Sequence, residues 1–111
     1  MQKSLLMVIT FEAEYLKELY LTGKCSDKKH RYQPQIIKTY RRRIETLESV
    51  ESPEKLYQFN ALHFEALVGD KKGRFSIKVN NQYRIEFTLN TESEEPLVII
   101  CNIVELSNHY K

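Results

Sequence analysis

Two neighbouring segments in the second half of the chain alternate between apolar and polar residues, and this pattern constrains the fold most strongly. In residues 74–79 the apolar positions are Phe75, Ile77 and Val79, and in residues 83–89 every second residue is again apolar. Because successive side chains on a β-strand point to opposite faces, each segment predicts a strand with one buried face. The short polar segment between them predicts a hairpin.

The same alternation predicts how the two strands pair. A two-residue loop would put their apolar faces out of phase, whereas the three-residue loop 80–82 pairs Val79 with Tyr83 and keeps both apolar faces together. In that register Lys78 lies opposite Arg84. Like charges that face each other across a strand pair are destabilising unless an acid or an anion lies between them. The hairpin therefore indicates an anion site on its polar face.

The remaining segments predict the order strand, helix, helix and then four strands. An apolar run at 4–10 predicts a buried strand, Thr10 is a candidate cap for the next helix, and Pro34 suits the first turn of a second helix. We expect one α+β domain over residues 1–111, with the N-terminal strand and two helices packed on an antiparallel, mixed-edge sheet of four to five strands. The expected boundaries are helices at 11–22 and from Pro34 to near Val50, a connector with one short helical turn, strands at 62–67, 74–79, 83–89 and 97–104, and turns at 69–73 and 90–96.

The charged residues are distributed unevenly along the chain. Residues 24–43 contain eight Lys and Arg and a single acid, and residues 71–84 contain five basic residues and no acid, so the rest of a chain with a net charge of only +2 is acidic. Part of the first block lies on the second helix, where Lys38 and Arg42 point away from the apolar stripe. Such blocks are typical of a surface that faces a polyanion, although a solvated surface without a partner is an equally simple interpretation.

Composition excludes several classes of protein. The hydrophobic fraction of 41% and the charged fraction of 29% are ordinary for a globular domain, and no apolar run approaches the ~20 residues of a membrane span. The N-terminal apolar run is too short for a signal peptide, so we expect a cytoplasmic protein. In that compartment Cys25 and Cys101 are expected to be reduced. A zinc site built on Cys25 and His30 lacks paired ligand spacing, so we expect no metal site.

The hairpin and the C-terminus resemble a known family. The run from Leu67 to Phe87 resembles the HigB-like motif L-x-G-D-x-x-G, an aromatic residue, S-I-x-V/I, a turn and Q-W/Y-R-I-x-F. The ending from Ile103 to Lys111 resembles the family's C-terminus, in which a His and a Tyr close the last strand. On these motifs the chain is identified as similar to the RelE/ParE superfamily, in its HigB-like branch of plasmid maintenance killer proteins.

This resemblance implies a function and partners. Members are toxins of type II toxin–antitoxin systems, and the HigB-like branch cleaves mRNA in the ribosomal A site without a metal or other cofactor, which blocks translation. The implied partners are a HigA-like helix-turn-helix antitoxin, the ribosome and mRNA, with no membrane. The basic blocks then become candidate contacts to RNA phosphates, which set position and salt dependence rather than sequence choice. These candidates are Lys28, Lys29, Arg31, Lys38, Arg41, Arg42, Lys71, Lys72 and Arg74.

The resemblance also points to a phosphate-binding arginine. Metal-free RNA cleavage needs a base for the 2′-hydroxyl, cations for the phosphate and an acid for the leaving oxygen. Arg84 matches the arginine of the family motif and shares the polar face with Lys78. We expect Arg84 to bind phosphate, since its guanidinium can bond two oxygens. The alternative for Arg84 is an ion pair with Glu86 or Glu65.

The candidates for proton transfer lie elsewhere in the motif. His109 and Tyr110 match the family's C-terminal pair. The imidazole of His109 suits either the general acid or the general base, and the phenol of Tyr110 could assist His109 or stack on a base. The alternative is that both residues belong to a frayed terminus. The family's mid-chain histidine aligns nearest Glu65, which is the candidate general base, and we expect His63 on the same strand face. A family lysine falls on Val68, so the acid–base pair departs from the family pattern.

Two other functions remain open. A ParE-like inhibitor of DNA gyrase would share the fold and need no acid–base residues, although the His109–Tyr110 pair and the HigB-like hairpin argue against it. A degenerate toxin that only binds its antitoxin would keep the fold without the cleavage.

Overall fold

The structure is a computed structural model that describes residues 5–108, and within that range the chain forms one five-stranded sheet and two helices. The strands are β1 (Leu5–Phe11), β2 (Glu65–Ala66), β3 (Phe75–Lys78), β4 (Tyr83–Glu94) and β5 (Leu97–Asn108). The helices are α1 (Glu14–Thr22) and α2 (Pro34–Ser49). Short 3-10 turns span Pro53–Gln58, Asn60–Leu62 and Gly69–Lys71. The sheet order is β1-β5-β4-β3-β2, with β1 parallel to β5 and the other neighbours antiparallel. The predicted α+β fold with a mixed sheet is confirmed.

The hairpin of β3 and β4 has the register that the alternation predicts. Ile77 faces Ile85 on the apolar side, and Lys78 faces Arg84 on the polar side. The side chain of Asn80 closes the loop, because its Oδ1 accepts hydrogen bonds from the backbone N–H groups two and three residues later, at 2.8 and 2.7 Å. The odd loop length therefore separates apolar from polar residues along both strands.

Three strands differ from the prediction by more than one residue at an end. β5 runs to Asn108, beyond the predicted end at 104. β4 continues through Glu94, so most of the predicted turn at 90–96 pairs with β5, and the chain reverses at residues 95–96. The acidic residues there stay exposed on an extended hairpin, so acidity alone did not require a turn. The predicted strand at 62–67 is reduced to β2, because Asn60–Leu62 forms a 3-10 turn and His63 has a left-handed backbone, so that only Glu65 and Ala66 pair with β3.

The first helix begins three residues later than predicted. Thr10 does not cap it: the hydroxyl of Thr10 donates to Asn102 Oδ1 at 2.7 Å, across the pair of β1 and β5. Ala13 precedes α1 without a side-chain cap. The end of α1 is as expected, since Gly23 adopts the left-handed conformation with φ 75° that a glycine accepts without strain.

The core lies between the helices and the apolar face of the sheet. The apolar arc that the sequence predicts on α2 contains Ile37 as well as the four residues that are buried, Ile36, Tyr40, Ile44 and Leu47; Ile37 is only partly buried. The hydroxyl of Tyr40 donates to the backbone carbonyl of Leu16 at 2.7 Å, which ties α2 to α1. On β5, burial raises the pKa of the Cys101 thiol to about 12, consistent with a structural role. No helix within residues 5–108 is long and apolar enough to cross a membrane.

The opposite face of the sheet carries a buried carboxylate. The Glu86 side chain is only 6% exposed and accepts hydrogen bonds from Lys71 Nζ at 2.7 Å and Arg74 Nη1 at 2.9 Å. Burial raises the pKa of Glu86, but these hydrogen bonds and one from Ser107 outweigh it and hold the pKa below its ordinary value. The same two cations reach Glu105 at 3.9 and 3.3 Å. This network anchors the turn before β3 to the sheet.

We expect Tyr40→Phe to test the contact between the helices. The substitution keeps the ring and removes one buried hydrogen bond, so the free energy of unfolding should fall by about 0.5–1.5 kcal/mol. Tyr57→Phe is the matched control, since Tyr57 is exposed, and it should change stability by less than about 0.5 kcal/mol. Urea unfolding measures both. Equal effects of the two substitutions would contradict the assigned bond.

We expect Glu86→Gln to remove a stabilisation that depends on pH. Because the pKa of Glu86 is lower in the folded protein than in the unfolded chain, its carboxylate stabilises the fold above the unfolded pKa, and this stabilisation is lost as the pH falls through the folded pKa. At pH 7 the loss should be about 1.5–3 kcal/mol, as for hydrogen bonds to charged groups. Below about pH 4 the difference from wild type should shrink.

Urea unfolding at pH 7, 5 and 3 measures this dependence. Glu92→Gln, on the exposed part of β4, is the control and should follow the wild type at each pH. A loss of stability in Glu86→Gln that stays constant between pH 7 and 3 would contradict the assignment.

Candidate functional site

The polar face of strands β2 to β5 forms an open groove with a volume of about 500 Å³. Two rows of paired residues cross this face, Glu65–Ser76–Glu86–Glu105 and Lys78–Arg84–Ser107. Residues paired across adjacent strands point to the same side of a sheet, so the register of the strands brings these side chains together. Leu67, Val68 and Lys71 also line the groove.

Arg84 is the most enclosed cation of the groove. Its side chain is 17% exposed, and Nη1 lies 3.3 Å from Glu65 Oε2 and 3.4 Å from Ser76 Oγ. Of the two ion-pair partners that the sequence allowed, Arg84 contacts Glu65, while Glu86 is bonded to Lys71 and Arg74. The guanidinium is therefore fixed by its neighbours and still reaches the groove.

Arg84, which faces the like charge of Lys78, has a carboxylate partner. Glu65, on the edge strand β2, supplies the acid that the cross-strand register requires. The Glu65 side chain is 55% exposed, so this partner is free to move away from Arg84. The backbone at Lys78 is fixed from the other side, since Arg43 Nε donates to its carbonyl at 2.9 Å.

Two of the predicted RNA-binding cations are held in ion pairs. Lys71 and Arg74 contact Glu86 and Glu105 at the groove, whereas Lys72 is exposed. With Arg84 and Glu65, the groove thus combines three paired cations with three carboxylates. An incoming anion therefore meets cations that are already positioned and has to compete with carboxylates for them.

The other predicted RNA-binding residues lie apart from the groove. Lys28, Lys29 and Arg31 are exposed in the loop between the helices. The remaining three, Lys38, Arg41 and Arg42, line a shallow depression on α2. The sequence therefore predicted two basic surfaces, and the structure places only the second block of charge at the groove.

Two of the candidate catalytic residues, His109 and Tyr110, lie outside the described residues. Asn108, the last described residue, lines the groove and pairs with Tyr83 at the end of β4. Strand β5 therefore leads to the groove at the point where the described chain ends.

The expected pairing of His63 with Glu65 on one strand face is wrong. His63 precedes β2 and has a left-handed backbone with φ 47°, so the alternation of a strand does not reach it. Val68, at the position of the family lysine, is 83% exposed at the groove, where Lys71 supplies a nearby ammonium group instead.

The sequence did not identify Glu105 and Ser107 as groove residues. Strand β5 is nearly continuously apolar up to Val104, and an irregularity in its pairing with β4 then shifts the register, so that Glu105 faces Glu86 while Ile103 faces Phe87. A bulge of this kind changes which face the following side chains occupy. The only signal in the sequence is the change from apolar to polar residues after Val104.

Metal ligands are not grouped in the described structure. Within residues 5–108, no three His, Cys, Asp or Glu side chains come together in a way that could hold an ion. Cys25 and Cys101 are both free thiols.

Comparisons with known proteins agree on one family. The sequence model of a protein family described as "RelE-like toxin of type II toxin-antitoxin system HigB" matches residues 9–98. Toxin HigB-1 of Vibrio cholerae serotype O1 is 34% identical over 82 residues, which cover 73% of this chain and 82% of that toxin. The solved structure of the YoeB/ParE toxin from Agrobacterium tumefaciens shares 12% identity and a TM-score of 0.57, and it covers 94% of this chain and 100% of that one.

The structural likeness at 12% identity concerns the fold, in which helices cover one face of the sheet. The family model matches a range that includes β2, β3 and most of the sheet, and so the segments that carry Glu65, Lys78 and Arg84. The chain therefore belongs to the HigB-like family of RelE-like toxins of type II toxin–antitoxin systems.

Proposed function

We propose that this toxin is a ribosome-dependent endoribonuclease that cleaves mRNA without a metal and is neutralised by a HigA-like helix-turn-helix antitoxin. The observation that carries the proposal is Arg84, a nearly buried guanidinium held by Glu65 and Ser76 in an open groove. A cation fixed in this way stabilises the charge that develops on a phosphate without having to reorganise.

Glu65 occupies the position that a phosphate oxygen would take at Arg84. A carboxylate and a phosphate both present oxygens to a guanidinium, and Arg–phosphate contacts are commonly bidentate. When RNA enters, its phosphate replaces Glu65 at Arg84, and Lys78 faces the same phosphate from the paired strand. The exchange leaves Glu65 beside the phosphate as a free carboxylate.

The released Glu65 suits the role of general base. It takes the proton from the 2′-hydroxyl, the 2′-oxygen attacks the adjacent phosphorus, and the bond from phosphorus to the 5′-oxygen breaks. The leaving 5′-oxygen needs a proton in the same step, and we assign it to His109, assisted by Tyr110. The products are a 2′,3′-cyclic phosphate and a free 5′-hydroxyl, so neither a metal nor an oxidant takes part.

The basic residues outside this centre bind RNA without reacting. Lys72 is exposed next to the groove, and Lys71 and Arg74 stay paired with Glu86 at its rim. Together with the loop cations and the cations of α2, they supply phosphate contacts that position the toxin on the ribosome and make its binding sensitive to salt.

We expect Arg84→Ala to abolish growth arrest on expression. Loss of one preorganised donor to a developing anion typically slows the reaction by about 10²–10³-fold. Arg84→Lys keeps the charge and loses the fork, so it should be intermediate. Lys55→Ala is the control, because Lys55 is an exposed cation in the connector that follows α2.

Mapping mRNA 5′ ends in the arrested cells checks this prediction. New ends inside translated codons, absent for Arg84→Ala and His109→Ala and present for Lys55→Ala, are the expected result. Arrest without new ends, together with inhibition of gyrase supercoiling by the purified protein, would favour a ParE-like activity. A folded wild-type protein that causes no arrest would favour a domain that only binds an antitoxin.

We expect Glu65→Gln to separate binding from cleavage. The amide keeps the shape of the side chain but neither takes a proton nor forms an ion pair with Arg84. Cleavage should therefore fall by about 100-fold or more. Affinity for a non-cleavable RNA with a 2′-deoxy residue should stay the same or increase, because the phosphate no longer competes with a carboxylate. Full toxicity of Glu65→Gln would contradict the assignment of Glu65 as the base.

A further inference from the structure

The loop between the helices holds an aromatic pair that the proposed cleavage does not use. The ring of His30 lies parallel to the ring of Tyr15, with 3.6 Å between the ring centroids and 10° between the planes. Tyr15 is in the first turn of α1 and is packed against the core, where burial raises its pKa and keeps the phenol neutral. His30 therefore rests on a ring that belongs to the fixed part of the fold.

Asp27 fixes the orientation of the imidazole. Its Oδ2 lies 2.9 Å from His30 Nδ1, and its Oδ1 accepts the backbone N–H of Lys29 at 2.9 Å. The backbone N–H of His30 also donates to the carbonyl of Asp27 at 3.1 Å, so the segment closes into a turn. The hydrogen bonds from Lys29 and His30 lower the pKa of Asp27, which keeps it an acceptor.

These contacts determine which parts of His30 are open. Tyr15 covers one face of the ring, and Asp27 occupies the Nδ1 edge. The side chain is nevertheless 34% exposed, and neither of these two contacts covers the second face or the Nε2 edge. Lys28, Lys29 and Arg31, the cations on either side of His30 in the sequence, are exposed. The loop thus carries an oriented aromatic ring with exposed cations on either side of it in the sequence.

We propose that the open face of His30 is a stacking site for an unpaired nucleobase of RNA, with the neighbouring cations contacting the adjacent phosphates. Unpaired bases are bound by this combination, because stacking on an aromatic ring accepts any base while cations follow the backbone. The Nε2 edge is left to hydrogen-bond the edge of the base or a 2′-hydroxyl. The inference rests on the proposed RNA-directed function and adds a site that is separate from the groove.

A pair of matched RNAs tests the stacking directly. One is a labelled ten-nucleotide RNA, and the other has the same phosphates but abasic sugars; affinities are measured by fluorescence anisotropy. Stacking on an aromatic side chain contributes about fivefold or more in affinity per base. The wild type should therefore prefer the RNA with bases by at least that factor.

Variants of the loop separate stacking from charge. His30→Ala and His30→Leu should remove most of the preference for bases and leave binding of the abasic RNA within about twofold, whereas His30→Phe should retain the preference because it keeps a planar ring. Lys29→Ala should weaken binding of both RNAs equally and reduce the salt slope by about one. Thermal unfolding of each variant checks the fold. Because Leu and Phe both fill the space of His30 but only Phe has a planar ring, comparing these two variants separates stacking from a loss of packing.

Two outcomes would overturn the proposal. One is an equal effect of His30→Ala on both RNAs, and the other is a His30→Leu variant that binds like His30→Phe. Binding to ribosomal 30S subunits with and without mRNA then identifies the source of the base: weakening by His30→Ala on vacant subunits assigns it to ribosomal RNA, and weakening only on loaded subunits assigns it to mRNA. Because none of these measurements uses cleavage, a wild type that shows the base preference but makes no new mRNA ends would contradict the nuclease and not the stacking site.

Discussion

The pairing of β4 on both of its sides is the constraint on which the rest of the structure depends. Alternate residues of this strand serve opposite purposes: Ile85 and Phe87 are fully buried in the core, whereas Arg84 and Glu86 face the groove. A shift of one residue in register would exchange the two sets, placing a guanidinium and a carboxylate in the core. The stability of the fold and the composition of the groove are therefore consequences of one hairpin register.

The groove is assembled from charges that compensate one another in the free protein. Arg84 is paired with Glu65, and Glu86 holds Lys71 and Arg74. These two arrangements differ in accessibility, because Glu86 is buried and has two cationic partners, while Glu65 is more than half exposed on a two-residue edge strand. Glu86 therefore maintains the geometry of the groove, and Glu65 is the carboxylate that a phosphate would displace in the cleavage that we propose.

The sequence predicted those parts of the fold that follow from local periodicity. The hairpin register and the buried stripe of α2 both arise from repeats of two or about three and a half residues, which constrain backbone and burial together. The sequence also predicted that Lys78 lies opposite Arg84, and this pair of like charges indicated a nearby anion or acid. Glu65 was among the possible partners of Arg84, and the structure selects it.

Features that depend on tertiary packing were not predicted. β2 is short because the 3-10 turn Asn60–Leu62 and the left-handed His63 precede it, and Glu105 reaches the groove because the pairing of β5 with β4 is irregular beside Val104. Neither has a periodic signature. The partners of Glu86 were likewise hidden, because Lys71 and Arg74 lie in a turn whose position over the sheet is set by contacts distant in sequence. The roles of His109 and Tyr110 stay predictions from the family motif.

The basic residues form two groups on this domain, one paired with carboxylates and one exposed. Near β3 and β4, Lys71, Arg74 and Arg84 are paired with carboxylates at the groove, as the phosphate-binding centre that we propose requires. Between the helices, the exposed Lys28, Lys29 and Arg31 flank His30 in the sequence, as the RNA-binding surface that we propose requires. A phosphate must displace a carboxylate to bind a paired cation, whereas an exposed cation is open to any phosphate. The RNA cleavage on the ribosome that we propose needs both arrangements, which the alternation of β4 and the oriented turn at Asp27 provide.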